Sequence, residues 1–150
     1  FTCEEIYQIV KKEELKESIF LHSFKQFPEE WIDLEVEKKW DFLKKLRSEV
    51  NNSIELKRNE KIIGSSLEAN VHISLDNKYL PNLEKIDLAE LLICSSSTLN
   101  DKSLTFDSFE KEPKTIEGLK VVVTKSEGIK CSHCWKILPS KCERNHCGIA

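Results

Sequence analysis

The sequence predicts an α+β chain in three parts: the end of a helical bundle closed by one long helix (residues 1–64), a small mixed α/β unit (65–129) and a cysteine-rich tail (130–150). Three observations carry that reading. Between Asp33 and Ile63 apolar residues recur at steps of three and four, the helical period, and beyond Gly64 the step falls to two, the period of a strand. Four of the six cysteines crowd into the end of the chain. The length of 150 residues suits one ordinary domain or two small ones and allows a real core. With 39% hydrophobic and 33% charged residues and 4 Gly and 4 Pro, the composition excludes collagen-like and Pro/Gly-rich disordered classes. The chain begins at Phe1 and contains no Met, so it reads as a piece of something longer, with any catalytic machinery expected outside it.

The elements follow in order. Thr2 and Glu5 have the spacing of a capping box at the start of a first helix, in which Cys3 is expected as an inert core thiol. An aromatic-rich loop follows, with Phe24, Phe27, Pro28 and Trp31. The long helix is predicted from Asp33, a suitable N-cap, to Ile63, with Gly64 as its left-handed C-cap. Its stripe is Val36, Trp40, Leu43, Leu46, Val50 and Ile54; its lysines and arginines, interleaved with acids, suggest a solvated face first and an RNA-facing one second. Beyond it, Ala69, Val71, Ile73 and Leu75 alternate as a half-buried strand that turns at Asp76-Asn77. Leu83 to Glu90 suggest a short helix, Leu91 to Cys94 a buried strand with an inert thiol, and Leu104-Phe106 and Leu119–Val123 two more strands. No apolar run approaches the roughly 18 residues of a membrane span and no export signal is visible, so a soluble, cytoplasmic chain is expected.

The cysteine tail is the most informative segment. Cys131-Ser132-His133-Cys134 is a C-x2-C knuckle, and Cys142 with Cys147 offers a second pair. Two thiolates from one tight turn and two from another complete a tetrahedron, and soft thiolates select zinc or iron–sulfur over hard cations. A four-thiolate zinc site has no open position and is therefore structural. It would also supply the folding energy that a segment of some twenty residues cannot find in its own apolar surface. The second pair has four intervening residues where two are usual, and His146, directly before Cys147, could replace a thiolate. His133 is expected to face solvent, and a disulfide or free thiols are the plain alternatives. Net charge is -2 over residues 1–63, -4 over 64–129 and +3 over 130–150, so the tail is the basic part of an otherwise acidic molecule. Lys130, Lys136, Lys141 and Arg144 beside Trp135 suit single-stranded RNA, where phosphates meet cations and an unpaired base stacks. Alternatively, Trp135 packs over the metal loop and the lysines only solubilise.

Several segments taken together resemble the end of the bacterial isoleucyl-tRNA synthetase family. They are Phe1-Thr2-Cys3-Glu4-Glu5-Ile6-Tyr7, Ser18-Ile19-Phe20-Leu21, Leu46-Arg47-Ser48-Glu49-Val50-Asn51, Lys61 to Ala69, and Lys130-Cys131-Ser132-His133-Cys134-Trp135. The resemblance implies a large class I parent enzyme that joins isoleucine to its tRNA using ATP and Mg. Of that parent this chain would carry the last helices of the anticodon-binding bundle, the junction domain and the zinc tail. The family's HIGH and KMSKS signatures are absent, so the piece would carry no catalytic residue and would hold tRNA, as a cytoplasmic monomer. By position, Cys131, Cys134, Cys142 and Cys147 match the family's four ligands to one structural zinc, the widened second pair being a departure from its usual C-x2-C. Trp135 matches the tryptophan after the knuckle, and Trp135, Lys136 and Arg144 are the implied tRNA contacts. Two rivals stand beside this reading: a freestanding zinc-stabilised interaction module, and the zinc-finger end of a DNA-repair glycosylase.

Overall fold

Two compact units divide the chain, Phe1–Leu34 and Glu35–Ala150. The computed structural model describes residues 1–10, 18–23, 26–101, 115–143 and 147. The first unit holds helix α1 (Thr2–Val10) and two short 3-10 turns, Ile19–Leu21 and Glu29–Trp31. Glu4 ties α1 to the first turn: its carboxylate accepts from Ser18 Oγ at 2.8 Å and from the Ile19 N–H at 3.0 Å. A bond from Gln8, then that from Ser18, holds its carboxyl below the ordinary range. Two expectations fail here. The Phe1 carbonyl accepts the first helical bond, from the Glu5 N–H, so Thr2 lies inside the helix and does not cap it. Cys3 is exposed and not a core thiol, because no residue of α1 is buried.

The second unit is built on helix α2 (Leu34–Asn59) and a three-stranded sheet of β1 (Ala69–Ser74), β2 (Ser96–Leu99) and β3 (Lys120–Lys125), in the order β2-β1-β3. Leu43, Leu46, Val50 and Ile54 form the buried stripe of α2, and they share one core with Ala69, Val71 and Ile73 of β1 and with Val123 of β3. Each of the leucines, isoleucines and valines contributes roughly 1.5–3 kcal/mol by leaving water. The predicted stripe is thus right over its later turns; Val36 and Trp40, its first members, are exposed. The helix face opposite carries i,i+3 ion pairs, Lys44 with Asp41 and Arg58 with Glu55. These are weak contacts typical of a solvated surface.

The helix also ends differently from expectation. The Ile62 N–H bonds the Lys57 carbonyl and the Lys61 N–H bonds that of Arg58, with Lys61 at φ 59. That is a Schellman stop with lysine in the left-handed position. Gly64 does not take that role, and its N–H is held by the Glu68 carboxylate at 3.0 Å.

β1 runs parallel to β2 and antiparallel to β3, Val71 facing Ser97 and Val123. The parallel pair requires a crossover, supplied by a 3-10 segment (Asn77–Leu83) and helix α3 (Leu88–Leu91). The Asp87 carboxylate caps α3 by accepting from the Glu90 N–H. The stretch Leu91 to Cys94, expected as a strand, is the last residue of this helix and the turn that closes it. The Cys94 N–H reaches back to the Ala89 carbonyl while Ile93 takes φ 54. The strand comes one step later, at β2. Cys94 is buried as expected, and burial pushes its thiol up to about 11. The expected strand at Leu104-Phe106 lies outside the described residues.

Asn100 finishes the sheet, its side-chain amide pairing with both backbone groups of Leu75. A two-stranded ladder, β4 (Ile129–Lys130) with β5 (Ile137–Leu138), follows β3. Among the described residues no helix is long and apolar enough to cross a membrane.

Candidate metal centre and its seating

The knuckle sits at the tip of the β4–β5 ladder. Lys130 pairs with Ile137, and the chain between them is closed by two backbone bonds: the Cys131 N–H to the Lys136 carbonyl at 2.9 Å, and the Trp135 N–H to the Cys131 carbonyl at 3.0 Å. Gly128 allows the approach of the two strands. It lies at φ 135, and a Cβ there would stand 2.1 Å from the Leu138 carbonyl oxygen.

This turn places the sulfurs of Cys131 and Cys134 on one side, and the following chain brings up Cys142 and Cys147. All four sulfurs lie within 4.8 Å of one another, Cys134 Sγ and Cys142 Sγ at 4.0 Å. A tetrahedral ion with bonds of 2.3 Å to sulfur needs edges of about 3.8 Å, so a small inward movement would close this set on one ion. The wider spacing of the second pair does not keep Cys147 away; it is 6% exposed and inside the cluster.

The thiol electrostatics fit a cation. The backbone N–H groups of Cys134 and His133 point at Cys131 and hold its thiol well below the usual value, while burial pushes Cys147 well above it. Four sulfurs this close cannot all ionise without a positive charge between them. The donor set suits a soft, four-coordinate metal and leaves no position open for a substrate.

The other predicted residues divide. Trp135 is 61% exposed, its backbone in the left-handed region at φ 62. His133 is exposed, as expected, with Nδ1 3.2 Å from Ser132 Oγ. Lys136, expected on the RNA side, is turned inward: it is 7% exposed and its Nζ donates to Glu90 Oε1 of α3 at 2.6 Å. Trp135, in the left-handed region and just ahead of β5, ends the knuckle turn, and the Lys136 side chain that follows it is held inward by Glu90. Arg144 and His146 lie outside the described residues.

Sequence reasoning missed the seating of this tail. Ser95 Oγ accepts from the Ile137 N–H at 2.6 Å and donates to the Leu67 carbonyl, joining β5 to the edge of the β1–β2 region. No spacing rule links Ser95 or Glu90 to residues more than forty positions away.

Comparison with known proteins gives a consistent answer, although no protein-family model matches the chain. The isoleucine–tRNA ligase of Pelagibacter ubique is 39% identical over 145 residues, covering 97% of this chain and 14% of that protein. The enzyme of the same name from Syntrophotalea carbinolica is 40% identical over 143 residues, and that from Petrotoga mobilis 33% over 144, each covering 93% of this chain and 15% of the relative. Over the stretch it spans, the chain belongs to the isoleucine–tRNA ligase family. It spans about one seventh of the length of the relatives it matches. The resemblance stated from short segments therefore holds along nearly the whole chain, and the matched stretch extends into the four-cysteine cluster.

Proposed function

We propose that the chain is the C-terminal, anticodon-side tRNA-binding portion of a class I isoleucyl-tRNA synthetase. In that reading residues 1–64 end the helical anticodon-binding domain, 65–129 form a junction, and 130–150 form a zinc tail. The activation of isoleucine, with its ATP and Mg, belongs to a catalytic region outside these residues. The piece contributes position: it holds the anticodon arm so that the distant acceptor end reaches the reacting centre, in a cytoplasmic, monomeric enzyme.

The observation that carries this reading is the match to isoleucine–tRNA ligases over 93–97% of the chain. The closed set of four sulfurs bearing an exposed indole supports it. Cys131, Cys134, Cys142 and Cys147 would hold one zinc ion. Bound there, zinc supplies folding energy and no chemistry, since four thiolates leave no open position. Trp135 stacks on an unpaired base and Arg144 meets a phosphate.

Binding of fluorescent isoleucine tRNA to the zinc-loaded chain tests the proposal. Trp135→Ala is expected to weaken binding about tenfold, as stacking of one base is worth roughly 1–3 kcal/mol. Equal affinity for an unrelated tRNA, with no effect of Trp135→Ala, would overturn it.

A further inference from the structure

We infer that Lys136 is a positioning residue: its buried ammonium, clasped by Glu90 of α3, fixes the metal tail on the sheet and so sets the direction in which Trp135 is presented to RNA. The inference rests on the tRNA-binding reading for its second half only. The seating itself stands on geometry within one compact unit.

Three contacts make the clasp. The Lys136 side chain is 9% exposed, and its Nζ lies 2.6 Å from Glu90 Oε1. The carbonyl of the same residue accepts from the Cys131 N–H, so the residue that reaches α3 also closes the knuckle turn. Its neighbour Ile137 donates its N–H to Ser95 Oγ at 2.6 Å, and Ser95 is itself buried and bonded back to Leu67. Between the clasp and the second knuckle cysteine stands one residue, Trp135, held at a positive φ that a bulky side chain adopts only when its surroundings impose it. Zinc alone would fix the four sulfurs relative to one another. It would not fix them relative to the sheet. Glu90 and Ser95 do that, through the two residues that follow the indole.

A lysine on an RNA surface and a lysine behind it behave differently in salt. A phosphate contact releases a counterion, so its loss lowers the slope of log Kd against log salt by about one; a positioning residue lowers affinity without changing the slope. The experiment uses the zinc-loaded 150-residue chain with Trp31→Phe and Trp40→Phe, leaving Trp135 as its sole tryptophan. Lys136→Met keeps the stem and removes the charge, Glu90→Gln removes the partner's charge, and Lys136→Glu with Glu90→Lys reverses the pair.

Expected for both single variants are one zinc per chain, a clear fall in Trp135 fluorescence anisotropy, and about tenfold weaker tRNA binding with an unchanged salt slope. The reversed pair should recover most of both losses. A slope lower by about one in Lys136→Met, with Glu90→Gln silent, would make Lys136 a phosphate contact and overturn the inference. Unchanged anisotropy in Glu90→Gln would overturn it as well, and that milder variant decides should Lys136→Met fail to fold. If the unmutated chain binds no tRNA, the proposed function fails while the anisotropy still decides the clasp.

Discussion

The core and the tail of the second unit are held by opposite means. The eight largest side chains fully removed from water among the described residues lie around α2, β1 and the end of α3, and all are apolar or thiol: Leu43, Leu46, Val50, Ile54, Val71, Ile73, Leu92 and Cys94. Between Glu127 and Glu143 the buried residues are Lys136 and Cys142. Transfer of hydrocarbon from water stabilises the first region and hardly touches the second. What is left to order the tail is a cluster of four sulfurs suited to a metal, a buried ion pair and a hydroxyl bridge. The lesson is a division of vulnerability: the core should answer to volume changes, and the tail to chelators and to loss of single polar groups.

The largest expected effect separates the two at a stroke. Apparent binding energies of structural zinc in small folds reach about 10–16 kcal/mol at neutral pH. Treatment of the zinc-loaded chain with a strong chelator, or Cys147→Ser, should therefore unfold the tail outright. In amide hydrogen exchange, residues 129–142 should lose their protection while β1 and β3 keep theirs. Loosening spread evenly over both regions would erase the distinction. Next in size is Leu46→Ala, which leaves a cavity against the sheet and should cost about 3 kcal/mol, lowering the urea midpoint of the whole unit. Zinc content per folded chain should stay at one. Gly128→Ala ranks third. Its Cβ would meet the Leu138 carbonyl, at a backbone angle that L side chains avoid, so a loss of more than about 1 kcal/mol is expected, read as weaker zinc retention with an unchanged core.

How much of this was legible beforehand follows the same division. The later part of the helical stripe and the alternation of β1 were plain, because periodicity reports directly on an apolar face that something covers. Val36 and Trp40 share that period, yet they are exposed; periodicity says which residues align and not how far the covering partner extends. Leu91 to Cys94 is a short apolar run, the pattern that fits a buried strand and a buried helix end equally well. β2, reading Ser-Ser-Thr-Leu, has no apolar alternation to announce it. At the stop of α2 a lysine takes the left-handed conformation that composition would assign to glycine. The four cysteines were legible because ligand chemistry restricts both residue type and spacing. Their seating was not, since the bond from Lys136 to Glu90 spans forty-six positions and uses two residue types that usually lie in water.

The smallest expected effect sharpens the comparison on the sheet's polar face. His72 on β1 lies between Thr98 of β2, Nδ1 to Oγ1 at 2.6 Å, and Thr124 of β3, Nε2 to Oγ1 at 3.5 Å. Partial burial lowers its pKa, and the charge of Asp101 only partly opposes that. A histidine whose folded pKa is below its unfolded value binds fewer protons when folded. Its contribution to stability is complete above the unfolded pKa, near 6.5, and is lost as the pH falls toward the folded one. Urea midpoints at pH 7.5 and pH 5 should therefore fall further for the unmutated chain than for His72→Gln, which cannot take up the proton. An identical fall in both would assign the acid sensitivity of this unit elsewhere. Release of zinc by acid is the competing source, because thiolates must be protonated to let the metal go. The comparison is therefore run on the metal-free chain, where the core alone reports.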